Sequence, residues 1–464
     1  MSARNLDWLS VAEAGRLIRR RELSPVELTQ ACLQRIERLD GRINAFITVT
    51  GEQAIAAARQ VEAEIAGGSH RGPLHGIPVG LKDIFGVANV RMTGGSKILA
   101  ENVATEDSVA TTRLKAAGAV FLGKLNLHEF AFGATGINPH YGPARNPWDA
   151  ERITGGSSSG SGAAVAGGEC PAALGTDTGG SIRIPASLCG IVGLKPTYGR
   201  VSKRGVLPLS WSLDHVGAMT RTVADAAIFL QAIAGYDEGD GSSTGEPVPD
   251  YNAAPNGGLR GLRVGVPREF FFENVDPEVE KSVQSAIGVL GELGAIVTEV
   301  EVPLIAEIPG ALTAMMLPEA LAYHQKWMAE RPDDYGDDVR YRLELGSGYL
   351  AVHYVQAQRL RGIAVEAWRQ DVFPKVDLVA TPTTPVTARP ISEGDLQVTF
   401  SLIRFTNLFN FLGVPAISLP CGFSTEGLPI GLQLAGRWWD EGTMLRAAHA
   451  YEQATEWHKR RPAP

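Results

Sequence analysis

The sequence is poor in cysteine, and its four cysteines lie far apart. Cys32, Cys170, Cys189 and Cys421 form no Cys-x-x-Cys pair, so the sequence predicts neither a zinc ribbon nor a disulfide framework. We expect reduced, buried thiols, as in a cytoplasmic protein.

Long apolar runs and excess basic charge are also missing. No apolar run reaches the roughly 18 residues that cross a bilayer, and Met1–Leu23 is charged throughout, unlike a signal peptide. Lys and Arg number 43 against 51 Asp and Glu, a net charge of -8. We therefore expect a cytoplasmic protein with no membrane contact and no direct binding of nucleic acid.

What the chain does have is an alternation of helical patterns with short apolar runs, which predicts an α/β fold. Ser10 with Glu13 fits a capping box, and Ser24-Pro25 starts a second helix. Helices are predicted from residue 11, over 25–38, 52–66, 108–117 and 277–293; strands over 77–81, 119–122, 190–194, 262–266, 295–300 and 376–380; and a surface loop over 237–258.

Two runs of glycine and serine carry the chemistry. Residues 155–162 read Gly-Gly-Ser-Ser-Ser-Gly-Ser-Gly, and residues 175–181 read Gly-Thr-Asp-Thr-Gly-Gly-Ser. A flexible linker fits poorly because apolar segments follow both runs. A phosphate-binding loop needs lysine where Ser161 stands. A nucleophile elbow needs an apolar strand before the serine, which residues 146–154 do not provide.

The second run fits an oxyanion hole followed by a nucleophile. Gly179 and Gly180 let successive backbone N–H groups converge just before the Ser181 hydroxyl. The runs contain no histidine to act as base. Lys82, after the apolar residues 77–81, is one candidate, because burial drives an amine toward its neutral form. From the residues alone, a lysine that merely ends a strand at the surface is the favoured interpretation of Lys82.

Several longer motifs resemble the amidase signature family. They are Gly-Ile-Pro-Val-Gly-Leu-Lys-Asp over 76–83, the two Gly/Ser runs with Ile-Arg-Ile-Pro and Gly-Leu-Lys-Pro-Thr, Ala-Thr-Pro-Thr-Thr-Pro over 380–385, and Gly-Leu-Pro-Ile-Gly-Leu-Gln over 427–433. The resemblance implies one α/β/α domain over 1–464, with a mixed sheet and helices on both faces. Its parts would be N-terminal helices at 1–66, a signature core at 72–233, a variable, substrate-selecting region at 240–375 and the rest of the core at 376–455.

The resemblance also implies a Ser-Ser-Lys catalytic unit and an acyl-enzyme, with no metal and no cofactor. Ser181 matches the nucleophile, Ser157 the bridging serine after a cis peptide bond, and Lys82 the base. The backbone of Thr178, Gly179, Gly180 and Ser181 matches the oxyanion hole.

Other residues take supporting roles. Ser158 can hydrogen-bond within the site, and Asp177 and Arg183 are expected to brace the turn. Phe130 and Phe132 lie in a segment that lines the acyl pocket in relatives, with packing in the core as the alternative. Met315, Met316, Trp438 and Trp439 are further pocket candidates, whereas Cys189 is expected to be a packed thiol.

The main functional hypothesis is a stand-alone hydrolase of linear amides, including aryl amides, with carbamates and esters open. The alternative is a glutamine-hydrolysing subunit of a tRNA-dependent complex, favoured by Gly-Leu-Lys-Pro-Thr-Tyr-Gly-Arg-Val-Ser over 193–202. Arg404 stands where that branch is expected to have an acidic glutamine-binding residue, and Ile184 where a glutamine is usual. An inactive scaffold and a homodimer formed by the N-terminal helices are further hypotheses.

Overall fold

The computed structural model describes residues 6–254, 257–394 and 396–463. The first five residues of the charged N-terminus, residues 255–256 of the predicted surface loop and the last residue of the chain lie outside these ranges. The described residues of that loop form neither helix nor strand, as expected. Within these ranges no helix is long and apolar enough to cross a bilayer.

The N-terminal helices begin where the sequence predicts. Helix α1 (Val11–Arg19) is capped by the Ser10 hydroxyl, which accepts the Glu13 N–H over 3.0 Å. Helix α2 (Pro25–Ile43) runs beyond its predicted end and stops at Asn44, which is left-handed at φ 52°. Helix α3 spans Gly51–Ala66. Their apolar faces are buried within the chain, so a dimer built on these helices would have to use their polar outer faces.

The remaining elements alternate along the chain. The other helices are α4 (Val109–Ala116), α5 (Ser159–Ala166), α6 (Arg183–Cys189), α7 (Val223–Ile233), α8 (Pro277–Glu292), α9 (Ile308–Glu330), α10 (Asp337–Gly346), α11 (Ala351–Ala367), α12 (Leu396–Ile403), α13 (Asn407–Leu412) and α14 (Glu441–Gln453). The strands are β1 (Phe46–Val49), β2 (Pro78–Lys82), β3 (Val120–Leu125), β4 (Arg145–Asn146), β5 (Asp149–Ile153), β6 (Ala172–Asp177), β7 (Val192–Lys195), β8 (His215–Thr220), β9 (Arg263–Val266), β10 (Ile296–Glu299), β11 (Leu378–Pro382), β12 (Ala416–Phe423) and β13 (Pro429–Gly436).

Eleven of these strands form one mixed sheet, in the order β1-β3-β2-β6-β8-β7-β12-β13-β11-β9-β10. The pairs β3/β2, β2/β6, β11/β9 and β9/β10 are parallel, and the other pairs are antiparallel. Strands β4 and β5 form a separate hairpin. The predicted α/β fold with a mixed sheet is confirmed.

Both faces of the sheet are covered, as side-chain alternation along β6 illustrates. Ala172 and Leu174 point into a core cluster shared with α1, α4, α7, α8 and α14. Ala173, between them, points into a second cluster shared with α2, α3, α5 and α6. Successive strand residues face opposite sides of the sheet. A strand that is buried on both faces therefore has apolar residues at successive positions. This explains why β6 shows no alternating pattern in the sequence.

Strands β2 and β6 bring the signature motifs together. They are parallel neighbours, with Leu81 opposite Leu174, so their carboxyl ends meet at the same edge of the sheet. Lys82 ends β2 and Asp177 ends β6. The amino end of α5 packs against both strands. In such sheets the carboxyl edge is where ligands usually bind.

One glycine allows α5 to approach this edge. A Cβ on Gly160 would lie 2.3 Å from the Ala45 carbonyl oxygen and 2.5 Å from the Asn126 nitrogen. These are backbone atoms that cannot move aside as a flexible side chain could. Gly160 N–H instead donates to the Asn126 carbonyl over 2.9 Å, so this turn of helix lies directly against the neighbouring chain segment.

We expect Gly160→Ala to destabilise the protein by about 1–3 kcal/mol or more, because the added methyl group overpacks a rigid contact. Gly288→Ala is the matched control, because Gly288 lies in α8 with no atom within 4 Å of an added Cβ. That substitution should stabilise by about 0.5–1 kcal/mol through helix propensity. Urea midpoints of the two variants test this; equal midpoints would mean that α5 does not lie this close to Ala45 and Asn126.

Candidate active site

Lys82 is buried at the end of β2, not at the surface. Its side chain has no exposed area, and Nζ lies 2.7 Å from Ser157 Oγ and 2.8 Å from Thr176 Oγ1. This burial excludes the interpretation of Lys82 as a surface lysine. The role of Lys82 as the base stays a prediction. Thr176 was not predicted as a site residue, although it lies inside the second Gly/Ser run.

Burial changes the chemistry of this amine. Loss of water lowers the pKa of Lys82 to about 7, and the more distant carboxylates of Asp214 and Asp177 only partly oppose that fall. Near neutral pH the side chain is therefore a mixture of ammonium and free amine, and the free amine can accept a proton.

Ser157 follows a cis peptide bond from Gly156, as the family resemblance implies. Its side chain is buried, and its carbonyl oxygen accepts the backbone N–H of His128 over 3.1 Å. Lys82 thus holds the Ser157 hydroxyl. The Ser157 backbone is held by the segment that leads from His128 into the predicted acyl-pocket residues.

Ser158 links the two Gly/Ser runs, which fits its expected supporting role. Its N–H donates to the Ser181 carbonyl over 3.2 Å. Its hydroxyl donates to the Thr176 carbonyl over 3.2 Å and accepts the Thr176 N–H over 3.3 Å. These three contacts fix the serine run against the end of β6.

Ser181 ends the turn that connects β6 with α6. The residue is 8% exposed, so a small substrate group can reach it. Gly179 is partly exposed, and a Cβ added there would meet no atom within 4 Å. The turn is therefore open at Gly179.

The expected oxyanion hole needs one correction. Gly180 N–H donates to Asp177 Oδ1 over 2.8 Å, so this amide is already occupied. The reason is that the Asp177 side chain folds back under its own turn and also accepts the Ile182 N–H, over 3.1 Å. The backbone amides of Thr178, Gly179 and Ser181 remain as candidate donors to a substrate oxygen.

Asp177 and Arg183 form a buried ion pair beneath the turn. Arg183 Nη2 lies 2.9 Å from Asp177 Oδ1 and Nε 3.0 Å from Oδ2. Burial by itself would raise the pKa of Asp177. The charge and hydrogen bonds of Arg183, together with the Lys195 charge and the Asn410 hydrogen bond, outweigh burial and hold that pKa well below its usual range. The guanidinium continues to Asn410 Oδ1 and Gln433 Oε1, over 2.6 and 2.7 Å.

A cavity of about 1010 Å³ opens near the end of β6, and Lys82, Ser157 and Ser181 are not among the residues that line it. Its lining includes Thr176, which bonds to Lys82, together with Ala131 and Asp214. Four aromatic side chains also line it, Tyr198, Trp211, Tyr323 and Tyr354. The rings of Trp211 and Tyr323 meet edge to face at 6.3 Å. Trp211, Tyr323 and Tyr354 lie outside the signature motifs, so the motifs give no signal for them.

Phe130 does not line this cavity. Both Phe130 and Ala131 are left-handed, at φ 48° and 61°, and this turn directs the Phe130 ring away from Ala131. The ring is 2% exposed and packs against the rings of His324 and Trp327, at 4.4 and 6.1 Å. Phe132 is also buried, with the Arg342 guanidinium 5.2 Å above its ring. The packing alternative describes both residues.

The other candidates also fall outside the cavity lining. Met315 is buried in a core cluster against which Met316 and Trp438 pack, and Trp439 stacks with Arg200 at 4.8 Å. Cys189 is a packed thiol that donates to the Thr154 carbonyl over 3.4 Å. All four cysteines are free and buried. Among the described residues, no three His, Cys, Asp or Glu side chains converge as metal ligands would.

Arg404 is engaged in packing. Its guanidinium lies over the rings of Phe270 and Phe405, at 4.7 and 5.1 Å, and donates to the carbonyls of Phe270 and Glu273 over 2.8 Å each. Ile184 is fully buried in a small apolar cluster. Neither side chain presents the polar group that the glutamine-hydrolysing branch is expected to have there.

Comparison with known proteins places this site in a family. The sequence profile described as Amidase matches residues 27–445. A protein of Moorella thermoacetica, named as a subunit of glutamyl-tRNA(Gln) amidotransferase, is 44% identical, over 98% of this chain and 99% of that protein.

Solved structures of similar chains point to the same family. One solved structure is described as a vestigial protein complex that reveals the evolutionary origins of an s-triazine catabolic enzyme. A chain of that structure superposes on this one with a TM-score of 0.91 at 35% identity, over 96% of this chain and 98% of that chain. A bacterial aryl acylamidase superposes with a TM-score of 0.89 at 28% identity, over 97% and 98%. The chain belongs to the amidase signature family of enzymes, which act on carbon–nitrogen bonds.

Proposed function

We propose that this chain hydrolyses linear amides through an acyl-enzyme on Ser181, with Ser157 as proton relay and Lys82 as base. The observation that carries the proposal is the 2.7 Å contact between Lys82 Nζ and Ser157 Oγ, made by an amine whose pKa burial lowers to about 7. A base with a pKa near the working pH combines availability with proton affinity.

The proposed reaction proceeds in two balanced halves. Ser181 Oγ gives its proton to Ser157, whose own proton passes to the Lys82 amine, and Oγ bonds to the substrate carbonyl carbon. The amides of Thr178, Gly179 and Ser181 hold the oxyanion. The carbon–nitrogen bond then breaks as the relay returns the proton to the leaving nitrogen. A water molecule then attacks the acyl-enzyme through the same relay and frees the acid. In total, amide and water become acid and amine.

The comparisons favour glutamine as the amide. The Moorella thermoacetica relative reported above is named as part of a glutamyl-tRNA(Gln) amidotransferase, and the likeness covers almost the whole of both chains. On this ground the glutamine-hydrolysing role, within a tRNA-dependent complex of several subunits, has better support than the stand-alone hydrolase.

The stand-alone hydrolase remains a second candidate because of the cavity charges. Among the described residues each charged side chain that lines the cavity already has a partner; for example, Glu319 accepts the hydroxyls of Ser210 and Tyr354. Lys203 donates to the Trp211 carbonyl over 2.6 Å. The α-ammonium and α-carboxylate of glutamine would have to compete with these contacts, whereas an uncharged aryl amide or carbamate would not.

Amine or ammonia release from a substrate panel tests the proposal. The panel holds aryl anilides, an aryl carbamate, an aliphatic amide, an amino-acid amide and glutamine, assayed with the chain alone and with added amidotransferase subunits. We expect hydrolysis of at least one amide and a loss of about 1,000-fold or more in Ser181→Ala, since no nucleophile remains.

Each outcome of the panel has a distinct meaning. Release from anilides by the chain alone supports the stand-alone hydrolase. Release from glutamine alone, or only with the added subunits, supports the amidotransferase role. No release from any amide, together with no reaction of Ser181 with a serine-directed fluorophosphonate, would contradict the proposal and favour an inactive scaffold.

The pH profile tests Lys82 separately. Protonated Lys82 cannot accept a proton, so kcat/KM should rise with pH and level off above an inflection near 7, falling about tenfold per unit below it. Lys82→Met should lose this limb and at least about 100-fold of the activity. Lys124→Met is the control, because Lys124 is a buried lysine on the neighbouring strand that pairs with Asp83. A flat profile between about pH 5.5 and about pH 8.5, roughly one and a half units on each side of the expected inflection, would rule out Lys82 as the base.

A further inference from the structure

Thr406 contacts the oxyanion turn at the Gly179 carbonyl. It lies between α12 and α13, is fully buried, and donates its hydroxyl proton to the Gly179 carbonyl over 2.5 Å. This is a short O–H···O hydrogen bond. The Ile403 carbonyl, at 3.2 Å, is a more distant second acceptor.

The contact fixes one end of a peptide unit whose other end is also held. The Gly179 carbonyl and the Gly180 N–H belong to the same trans peptide, so they point in opposite directions. Thr406 holds the carbonyl and Asp177 Oδ1 holds the N–H over 2.8 Å. With both ends bound, this peptide cannot rotate without breaking a buried hydrogen bond.

The close approach depends on Gly180. Its φ is 132°, and a Cβ there would lie 2.2 Å from Thr406 Oγ1 and 2.7 Å from Thr406 Cβ. Only glycine leaves room for the threonine at this distance. Asn410, one helical turn further along, donates to the Asp177 carbonyl over 2.9 Å and to Asp177 Oδ1 over 2.8 Å. The segment 406–410 therefore holds both sides of the turn.

We propose that Thr406 is a positioning residue for the oxyanion hole. Its hydroxyl sets the plane of the Gly179–Gly180 peptide, and through it the directions of the Gly179 and Ser181 amides that face the substrate oxygen. Thr406 itself touches neither substrate nor Lys82. The inference rests on the proposed acyl-enzyme function and assigns a role to a residue outside the Ser-Ser-Lys unit.

The test compares Thr406→Val, which keeps the shape and removes the hydroxyl, with Thr406→Ser, which keeps the hydroxyl. We expect the valine variant to lose about 10- to 100-fold in kcat, because a misplaced donor loses its strength in the transition state. KM should stay within about threefold, since ground-state binding does not use the oxyanion. The serine variant should remain within about threefold of the wild type.

Two further readouts separate positioning from general damage. The kinetic inflection near pH 7 should not move, because the Lys82–Ser157 pair is untouched. Inactivation by a fluorophosphonate, whose phosphoryl oxygen needs the same amides, should slow by a factor similar to that for kcat. Thr406→Ala against Thr406→Ser gives a second pair that differs by the hydroxyl alone, should the valine variant fold poorly.

The inference is overturned by unchanged kcat in the valine or alanine variant, by an equal loss in the serine variant, or by a moved inflection. A moved inflection would mean that the substitution disturbs Lys82. An inactive wild type that also resists the fluorophosphonate would instead contradict the proposed function, so the two failures are distinguishable.

Discussion

An amine taken out of water is the constraint on which the site depends. Among the described residues, both hydrogen-bond partners of the Lys82 amine are hydroxyls, from Ser157 and Thr176. A carboxylate in direct contact would keep the lysine charged. The two nearby carboxylates are bound elsewhere, Asp177 by Arg183 and Asp214 by Thr178. Burial therefore lowers the pKa of Lys82, and no carboxylate in the described part of the chain is in direct contact to restore it.

Local motifs were sufficient to predict the contact between Lys82 and Ser157. Lys82, Ser157 and Ser181 lie in short motifs of fixed spacing, and two parallel strands bring those motifs to one edge. The α/β fold and its mixed sheet could also be anticipated. Strands such as β6 and β8 could not, because burial on both faces removes the alternation by which a strand is recognised.

The surroundings of the site were harder to predict because they depend on distant parts of the chain. Phe130 belongs to the aromatic packing of α9, a helix almost 180 residues further along. Asn410 and Gln433 reach Arg183 across 227 and 250 residues. The sequence predicts the Gly180 N–H as an oxyanion donor, whereas in the fold this N–H donates to the Asp177 side chain. Spacing in sequence carries no information about such contacts.

The span of the Arg183 contacts also bears on when the Ser181 turn is complete. The turn that carries Ser181 is held by Thr406, Asn410 and, through Arg183, by Gln433 on strand β13. During synthesis the nucleophile leaves the ribosome long before these residues do. A nascent or truncated chain that ends before β13 has every member of the Ser-Ser-Lys unit and lacks the frame that shapes the turn. The frame of the turn that carries Ser181 is therefore complete only once the last strand of the sheet has been synthesised.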